Sequence, residues 1–190
     1  MPAVQIIRFS ATPEEMRLLL EAHEAEFTKT KAVESQAREA LEDGLTAQQA
    51  MDLIRAVCEW GKYAGIAGRV RARNSPETIL LRIREALSLV DAGLVGEAVF
   101  RIAKLKGLGP SFASKALRFL RPDKAVVLDS VISEGLGFAR DLPGYNAFLM
   151  ECVRIGELMN VPDQPNPAPS NRVWRPCDVE MAIYAKLRGL

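Results

Sequence analysis

Apolar residues recur at helical spacing along most of the chain. Ala50, Leu53, Ile54 and Val57 follow one another at i, i+3, i+4 and i+7, which places them on one face of a helix. Similar patterns predict eight helices, over about residues 13–27, 47–60, 76–92, 95–105, 110–119, 128–138, 143–159 and from 176 onward. The chain is therefore predicted to be mostly α.

Helix starts are marked by capping signals, whereas strand signals are weak. Thr12 with Glu15 and Thr46 with Gln49 have capping-box spacing, and Ser75 precedes a proline at a first helical position. Only residues 4–7 resemble a strand. Residues 161–176 contain five prolines, so we expect an extended surface segment there within a single helical domain spanning residues 1–190.

Composition excludes several classes of protein and site. The chain has 190 residues, is 48% hydrophobic, and contains no apolar run near the ~20 residues that cross a membrane. Its three cysteines lie far apart without a CxxC pair, which excludes a disulfide framework, an iron–sulfur cluster and a zinc ribbon. His23 is the only histidine and is expected to be an ordinary helix residue. We expect a reduced cytoplasmic monomer with no metal and no cofactor.

The charge is unevenly distributed, although the net charge is only +1. Residues 55–125 hold 14 lysines and arginines against 6 acidic residues, which gives this third a charge of +8. The flanking segments, 1–54 and 126–190, carry −5 and −2. A basic central third suits a polyanion such as nucleic acid, although solvated helix faces would give the same count.

The most informative stretch is residues 105–117, LKGLGPSFASKAL. A helix ends there, a Gly-x-Gly turn formed by Gly107 and Gly109 follows, and a second helix begins at Pro110. Glycines permit positive φ and close backbone approach, and the first amides of the second helix have no partner within it. The turn therefore predicts a phosphate-sized site, or alternatively a tight helix–helix corner without a ligand.

This stretch resembles the helix-hairpin-helix of the DNA glycosylase superfamily, in its 8-oxoguanine-glycosylase-like branch. In that superfamily an extended segment after the hairpin leads to an essential aspartate, and Asp129 occupies that place in KAVVLDSV, residues 124–131. The resemblance implies a helix-hairpin-helix glycosylase fold with helical lobes around a central cleft. The hairpin would cover about residues 95–120 and the aspartate loop about 121–135.

One position departs from the family pattern. Bifunctional members carry a catalytic lysine two residues after the last hairpin glycine, where this chain has Ser111. Lys115 follows four residues later and so shares a helix face with Ser111, about 6 Å away. Lys115 is thus a candidate nucleophile for the sugar, with contact to a DNA phosphate or to solvent as the alternative.

Asp129 suits the chemistry of glycosidic cleavage. Breaking an N-glycosidic bond builds positive charge on the deoxyribose, which a nearby carboxylate stabilises. Because Asp129 follows the apolar run Ala125–Leu128, partial desolvation would strengthen that interaction. Asp129 is also well placed to cap the next helix, and both roles are compatible.

The remaining candidates concern DNA and an extruded base. Trp60, Tyr63 and Phe112 are candidate base-pocket residues, although for Trp60 a place in the protein core is the favoured interpretation. Arg69, Arg71 and Arg73, with two glycines, predict a flexible basic loop along the DNA backbone. The predicted DNA-binding residues are Lys104, Lys106, Gly107, Gly109, Ser111, Arg118, Arg69 and Arg71.

Two functions follow from these features. The first is a DNA glycosylase acting on double-stranded DNA with an extruded base. The branch resemblance implies an oxidised purine, and a modified pyrimidine of viral DNA, removed by a defence enzyme, is the other substrate considered. The second function is a non-catalytic helix-hairpin-helix DNA-binding module, in which Asp129 would only cap a helix.

Overall fold

The computed structural model describes residues 4–6, 8–160 and 173–190, and this part of the chain is mostly helical. Its helices are α1 (Pro13–Glu26), α2 (Thr30–Glu42), α3 (Ala47–Trp60), α4 (Gly65–Arg73), α5 (Pro76–Asp91), α6 (Val95–Ile102), α7 (Pro110–Leu120), α8 (Ser130–Leu136), α9 (Leu142–Met159) and α10 (Pro176–Arg188). The strands are β1 (Val4–Ile6) and β2 (Phe9–Ala11). The mostly α fold predicted from the sequence is confirmed.

The helix starts lie where the capping signals predicted them. Thr12 and Glu15 form a complete capping box, in which the Glu15 amide donates to Thr12 Oγ1 at 3.2 Å and the Thr12 amide donates to the Glu15 side chain at 2.6 Å. Thr46 and Gln49 do the same for α3, at 3.2 and 2.9 Å. Each box satisfies amides that lack a partner inside the helix.

Two helices were not predicted. The buried face of α2 consists of Thr30, Val33, Ala37 and Ala40, whose small side chains give a weak apolar signal. Residues 65–73 form α4, so the prediction of a flexible loop around Arg69 and Arg71 was wrong. Two glycines favour a loop locally, but Val70 is fully buried and anchors the segment as a helix.

The predicted strand forms one half of a hairpin. β1 pairs antiparallel with β2, with Val4 opposite Ala11 and Ile6 opposite Phe9. Arg8 takes a left-handed conformation in the turn (φ 65°). Residue 7, the last of the predicted strand, lies outside the described residues, as do residues 161–172 of the predicted proline-rich segment.

The chain divides into two compact units. The continuous one, residues 29–122, contains α2 to α7. Its centre is α7, which packs against α2, α3 and α6. Every residue of α7 from Phe112 to Leu120 is buried, so the helix that follows the hairpin is the core of this unit.

The discontinuous unit combines residues 1–28 with 123–190. Its centre is α10, which packs against α1, α8 and α9. Helices α8 and α10 come close at Gly135, where a Cβ would lie 2.7 Å from the Leu187 side chain. The prediction of a single domain over residues 1–190 remains a prediction. Within the described residues, no helix has both the length and the apolar character needed to span a membrane.

Gly144 provides a test of the packing at the start of α9. A Cβ at this position would collide with the carbonyl oxygen of Ala139. Gly144→Ala should therefore lower the free energy of unfolding by about 2 kcal/mol or more. Gly68→Ala is the matched control, since a Cβ there meets nothing within 4 Å and should stabilise α4 by about 0.5–1 kcal/mol. Denaturant unfolding of both variants checks the prediction, and equal effects would contradict it.

Candidate functional site

The hairpin between α6 and α7 presents unpaired backbone donors. Gly107 has φ +92°, a conformation that favours glycine, and Gly109 is the N-cap of α7 without a side-chain cap. The N–H groups of Gly107, Gly109 and Ser111 donate to no other described residue. Such a turn before a helix N-terminus suits an anionic oxygen, and the phosphate-sized site stays a prediction.

Cationic side chains surround this turn. Lys104 and Lys106 are exposed beside it, and Arg69 and Arg71 are exposed on α4. The backbone of Arg69 lies against the hairpin, since a Cβ at Gly107 would be 3.4 Å from the Arg69 carbonyl carbon. Four of the predicted DNA-binding cations thus lie on the surface of residues 29–122.

Lys115 and Ser111 lie together on α7. The Lys115 ammonium donates to Ser111 Oγ at 3.4 Å and lies 5.3 Å from the centre of the Phe112 ring. Lys115 is only 7% exposed, whereas Ser111 is half-buried. The Lys115 amine is therefore nearly buried and lies beside the Ser111 hydroxyl and the Phe112 ring.

The three aromatic candidates occupy different environments. Tyr63 is 66% exposed and contacts the edge of the buried Phe112, with ring centres 6.0 Å apart. Trp60 is buried against Phe119, and its indole N–H donates to Thr30 Oγ1 at 2.9 Å. Trp60 therefore belongs to the core, which is the interpretation that the sequence favoured.

Arg118 does not lie at the surface, which corrects its expected role in DNA contact. Its side chain is 1% exposed and forms an ion pair with Glu34 at 2.7 Å. Its guanidinium also lies 4.6 Å from the centre of the Phe119 ring. An isolated charge is costly to bury, so the partnership with Glu34 explains why the arginine sits in the core.

Asp129 ends a buried extended segment in the other unit. Residues Ala125–Leu128 are all buried, and the Tyr145 hydroxyl holds them by accepting from the Val126 amide at 3.2 Å and donating to its carbonyl at 3.1 Å. Asp129 is half-buried, and its Oδ1 accepts from the amides of Val131 and Ile132 at 3.1 and 3.3 Å. The predicted cap of the following helix is confirmed.

An aromatic group beside Asp129 was not predicted. Tyr184 on α10 makes edge contacts with Phe27 and His23, with ring centres 5.7 and 5.8 Å apart, while His23 and Phe27 stack at 4.6 Å. Burial, and next the negative charge of Asp129, raise the pKa of Tyr184. The i, i+4 spacing of His23 and Phe27 indicated their local contact, but nothing local connects Tyr184 with Asp129.

Comparison with known proteins identifies one related family. The family described as "Putative 8-oxoguanine DNA glycosylase OGG-like protein" matches residues 8–162, a stretch that contains the hairpin, Lys115 and Asp129. No curated protein and no solved structure matches the chain.

The three cysteines are buried free thiols. Burial is the main cause that raises the pKa of Cys58 to about 11, and burial raises the pKa of Cys152 well above its usual value. Protonated, inaccessible thiols are poor nucleophiles. Within the described residues, no group of three or more His, Cys, Asp or Glu side chains is arranged to hold a metal.

These thiols should resist modification in the folded protein. With a pKa of about 11, only about one Cys58 in a thousand is a thiolate at pH 8, and the fraction grows as the pH rises. Ellman's reagent at pH 8 should therefore titrate no cysteine of the native chain and three in denaturant. Rapid reaction of any one thiol in the folded protein would contradict the prediction.

Proposed function

We propose that this chain, which belongs to the family described as "Putative 8-oxoguanine DNA glycosylase OGG-like protein", cleaves the N-glycosidic bond of a damaged or modified base in duplex DNA. The observation that carries the proposal is the position of Asp129. A half-buried carboxylate ends a buried extended segment, at the family's distance after a hairpin with free amides. The substrate proposed first is an oxidised purine, with a modified pyrimidine of viral DNA second.

DNA binding is proposed to centre on the hairpin. The free amides of Gly107, Gly109 and Ser111 suit one phosphate, and Lys104 and Lys106 add charge beside it. Neutralising phosphates releases counterions, so affinity should fall steeply with salt. The protein is proposed to bind as a monomer.

Asp129 is proposed to stabilise the positive charge that develops on the sugar. Its Oδ1 is held by two backbone amides, which fixes the carboxylate before substrate arrives. A fixed charge needs little reorganisation during the reaction, and partial burial increases its effect on the sugar. The carboxylate also suits orientation of an attacking water.

Lys115 is proposed as the nucleophile in a lyase-type reaction. Its neutral amine would bond to the anomeric carbon while the glycosidic bond breaks and the base leaves with the electron pair and takes up a proton. Loss of a proton from nitrogen and opening of the sugar ring give an imine. The nearly buried position of this amine, beside Phe112 and the Ser111 hydroxyl, supports the proposal.

The extruded base requires an aromatic surface. In residues 29–122 the exposed Tyr63, supported by Phe112, is the proposed stacking group. In the other unit, Tyr184 and Phe27 are half-buried, and Tyr184 lies near enough to Asp129 to feel its charge. Base release from a panel of duplexes carrying oxidised purines or bulky modified pyrimidines, followed by mass spectrometry, tests which base is removed.

Asp129→Asn separates catalysis from helix capping. Asparagine caps helices about as well as aspartate, so stability should stay within about 0.5 kcal/mol of wild type. Loss of the negative charge should abolish nearly all base release while duplex affinity stays within a few-fold. Asp129→Ala is the companion variant, which should lose both activity and about 1 kcal/mol of stability. Full activity of Asp129→Asn would show that Asp129 only caps α8, whereas the absence of base release by the wild type would favour the DNA-binding module.

Lys115→Met tests the covalent step, because methionine keeps much of the buried volume without an amine. Borohydride should trap wild-type protein on substrate DNA and should not trap Lys115→Met. Ser111→Ala is the control, since it removes only the hydroxyl 3.4 Å from the amine and should retain trapping. Wild-type release of the base without any trapped adduct would assign the attack to water.

A further inference from the structure

Asn74 joins the basic helix α4 to the hairpin. It is the C-cap of α4, and its side-chain nitrogen donates to the carbonyl oxygens of Val70 at 2.7 Å and Lys106 at 2.9 Å. Its side-chain oxygen accepts from the Lys106 amide at 3.0 Å. The Asn74 side chain thus binds both the amide and the carbonyl of Lys106, and it also binds the last turn of α4.

The next hairpin residue brings the two backbones into contact. Gly107 has φ +92°, and a Cβ there would lie 3.4 Å from both the carbonyl carbon and the Cβ of Arg69. The hairpin therefore packs directly on α4 at the residue whose amide faces the proposed phosphate. A shift of α4 would move this turn.

Helix α4 depends on such contacts. It has only nine residues, contains Gly65 and Gly68, has no side-chain hydrogen bond at its N-cap, and buries only Val70 fully. Helices this short are marginal in isolation, and glycine weakens them further. The Asn74 contacts, together with Val70, hold α4 in place.

The outer side of the joined elements is strongly cationic. The exposed cations on α4 and the hairpin are Arg69, Arg71, Arg73, Lys104 and Lys106. No acidic residue occurs between Glu59 and Glu77 or between Glu97 and Asp123. None of the five cations forms an ion pair with another described residue, so their charge is available to a polyanion.

We infer that Asn74 is a positioning residue that makes α4 and the hairpin one phosphate-binding surface. The sugar-phosphate backbone of one DNA strand runs from the hairpin amides onto the arginines of α4. This inference rests on the proposed function only in taking duplex DNA as the partner. It adds a second contact element beside the hairpin and a residue that sets its position without touching DNA.

Asn74→Ala tests the coupling, with binding to a short unmodified duplex as the measurement. Its affinity should fall about tenfold, and the slope of log K against log salt should become shallower by about one unit for each phosphate that the variant no longer neutralises. Ser75→Ala is the matched control. It removes the neighbouring hydrogen bond from the Thr78 amide and leaves the hairpin untouched, so its slope should equal that of wild type. The melting temperatures of both variants show whether a loss of affinity is caused by unfolding.

One measurement keeps the test decisive if Asn74→Ala unfolds α4, and two others apply if the variant stays folded. Arg69→Ala retains Asn74 and should make the salt slope shallower by about one unit. In the folded Asn74→Ala background, Arg69→Ala should cost much less affinity than in wild type, because the surface is already displaced. Hydrogen exchange of the Lys106 amide should accelerate in Asn74→Ala, since its acceptor is gone.

The outcomes distinguish this inference from the proposed function. The inference would be overturned by an unchanged salt slope in Asn74→Ala or Arg69→Ala, or by additive losses of affinity in the double variant. Base release by the wild type would still support the proposed glycosylase. A wild-type chain without salt-dependent duplex binding would overturn both. If the wild type releases the base and Asn74→Ala changes neither the affinity nor the salt slope, only the hairpin contacts phosphate.

Discussion

The structure of residues 29–122 depends on burying a guanidinium in the middle of α7. Arg118 is fully buried and pairs with Glu34 of α2, which links the central helix of this unit to a neighbour. Removing one partner of such a pair leaves an uncompensated charge, at a cost of about 3–5 kcal/mol. The pair thereby ties α2 to α7, the helix whose first turn follows the hairpin.

The same helix face leads from the core to the proposed chemistry. Ser111, Lys115 and Arg118 follow one another at i, i+4 and i+7, and their burial increases from half-buried to complete. Lys115 occupies the intermediate depth, where an amine is neither freely hydrated nor fully isolated. A polar stripe along a core helix explains how one lysine can be nearly buried yet still lie one turn from the hairpin.

Local signals predicted much of the fold and the hairpin, because the interactions involved lie within a few residues. The capping boxes at Thr12 and Thr46, the turn at Gly107 and the Ser111–Lys115 spacing all belong to this class. Helices α2 and α4 were missed because tertiary packing of small or glycine-rich segments outweighs their weak local preference. The burial of Arg118 and the electrostatic influence of Asp129 on Tyr184 depend on residues distant in sequence, so no local pattern contained them.

The hydroxyl of Tyr145 has a consequence for how a buried segment without regular secondary structure satisfies its backbone. Residues Ala125–Leu128 form an uncharged, apolar, buried stretch, and backbone polar groups buried in such a stretch need hydrogen-bond partners. Tyr145 occupies both polar groups of Val126 as a neighbouring strand would, and burial covers the rest. An aromatic side chain thus supplies at Val126 the hydrogen bonds that a second strand would supply in a sheet, and Asp129 follows a segment that is held in this way.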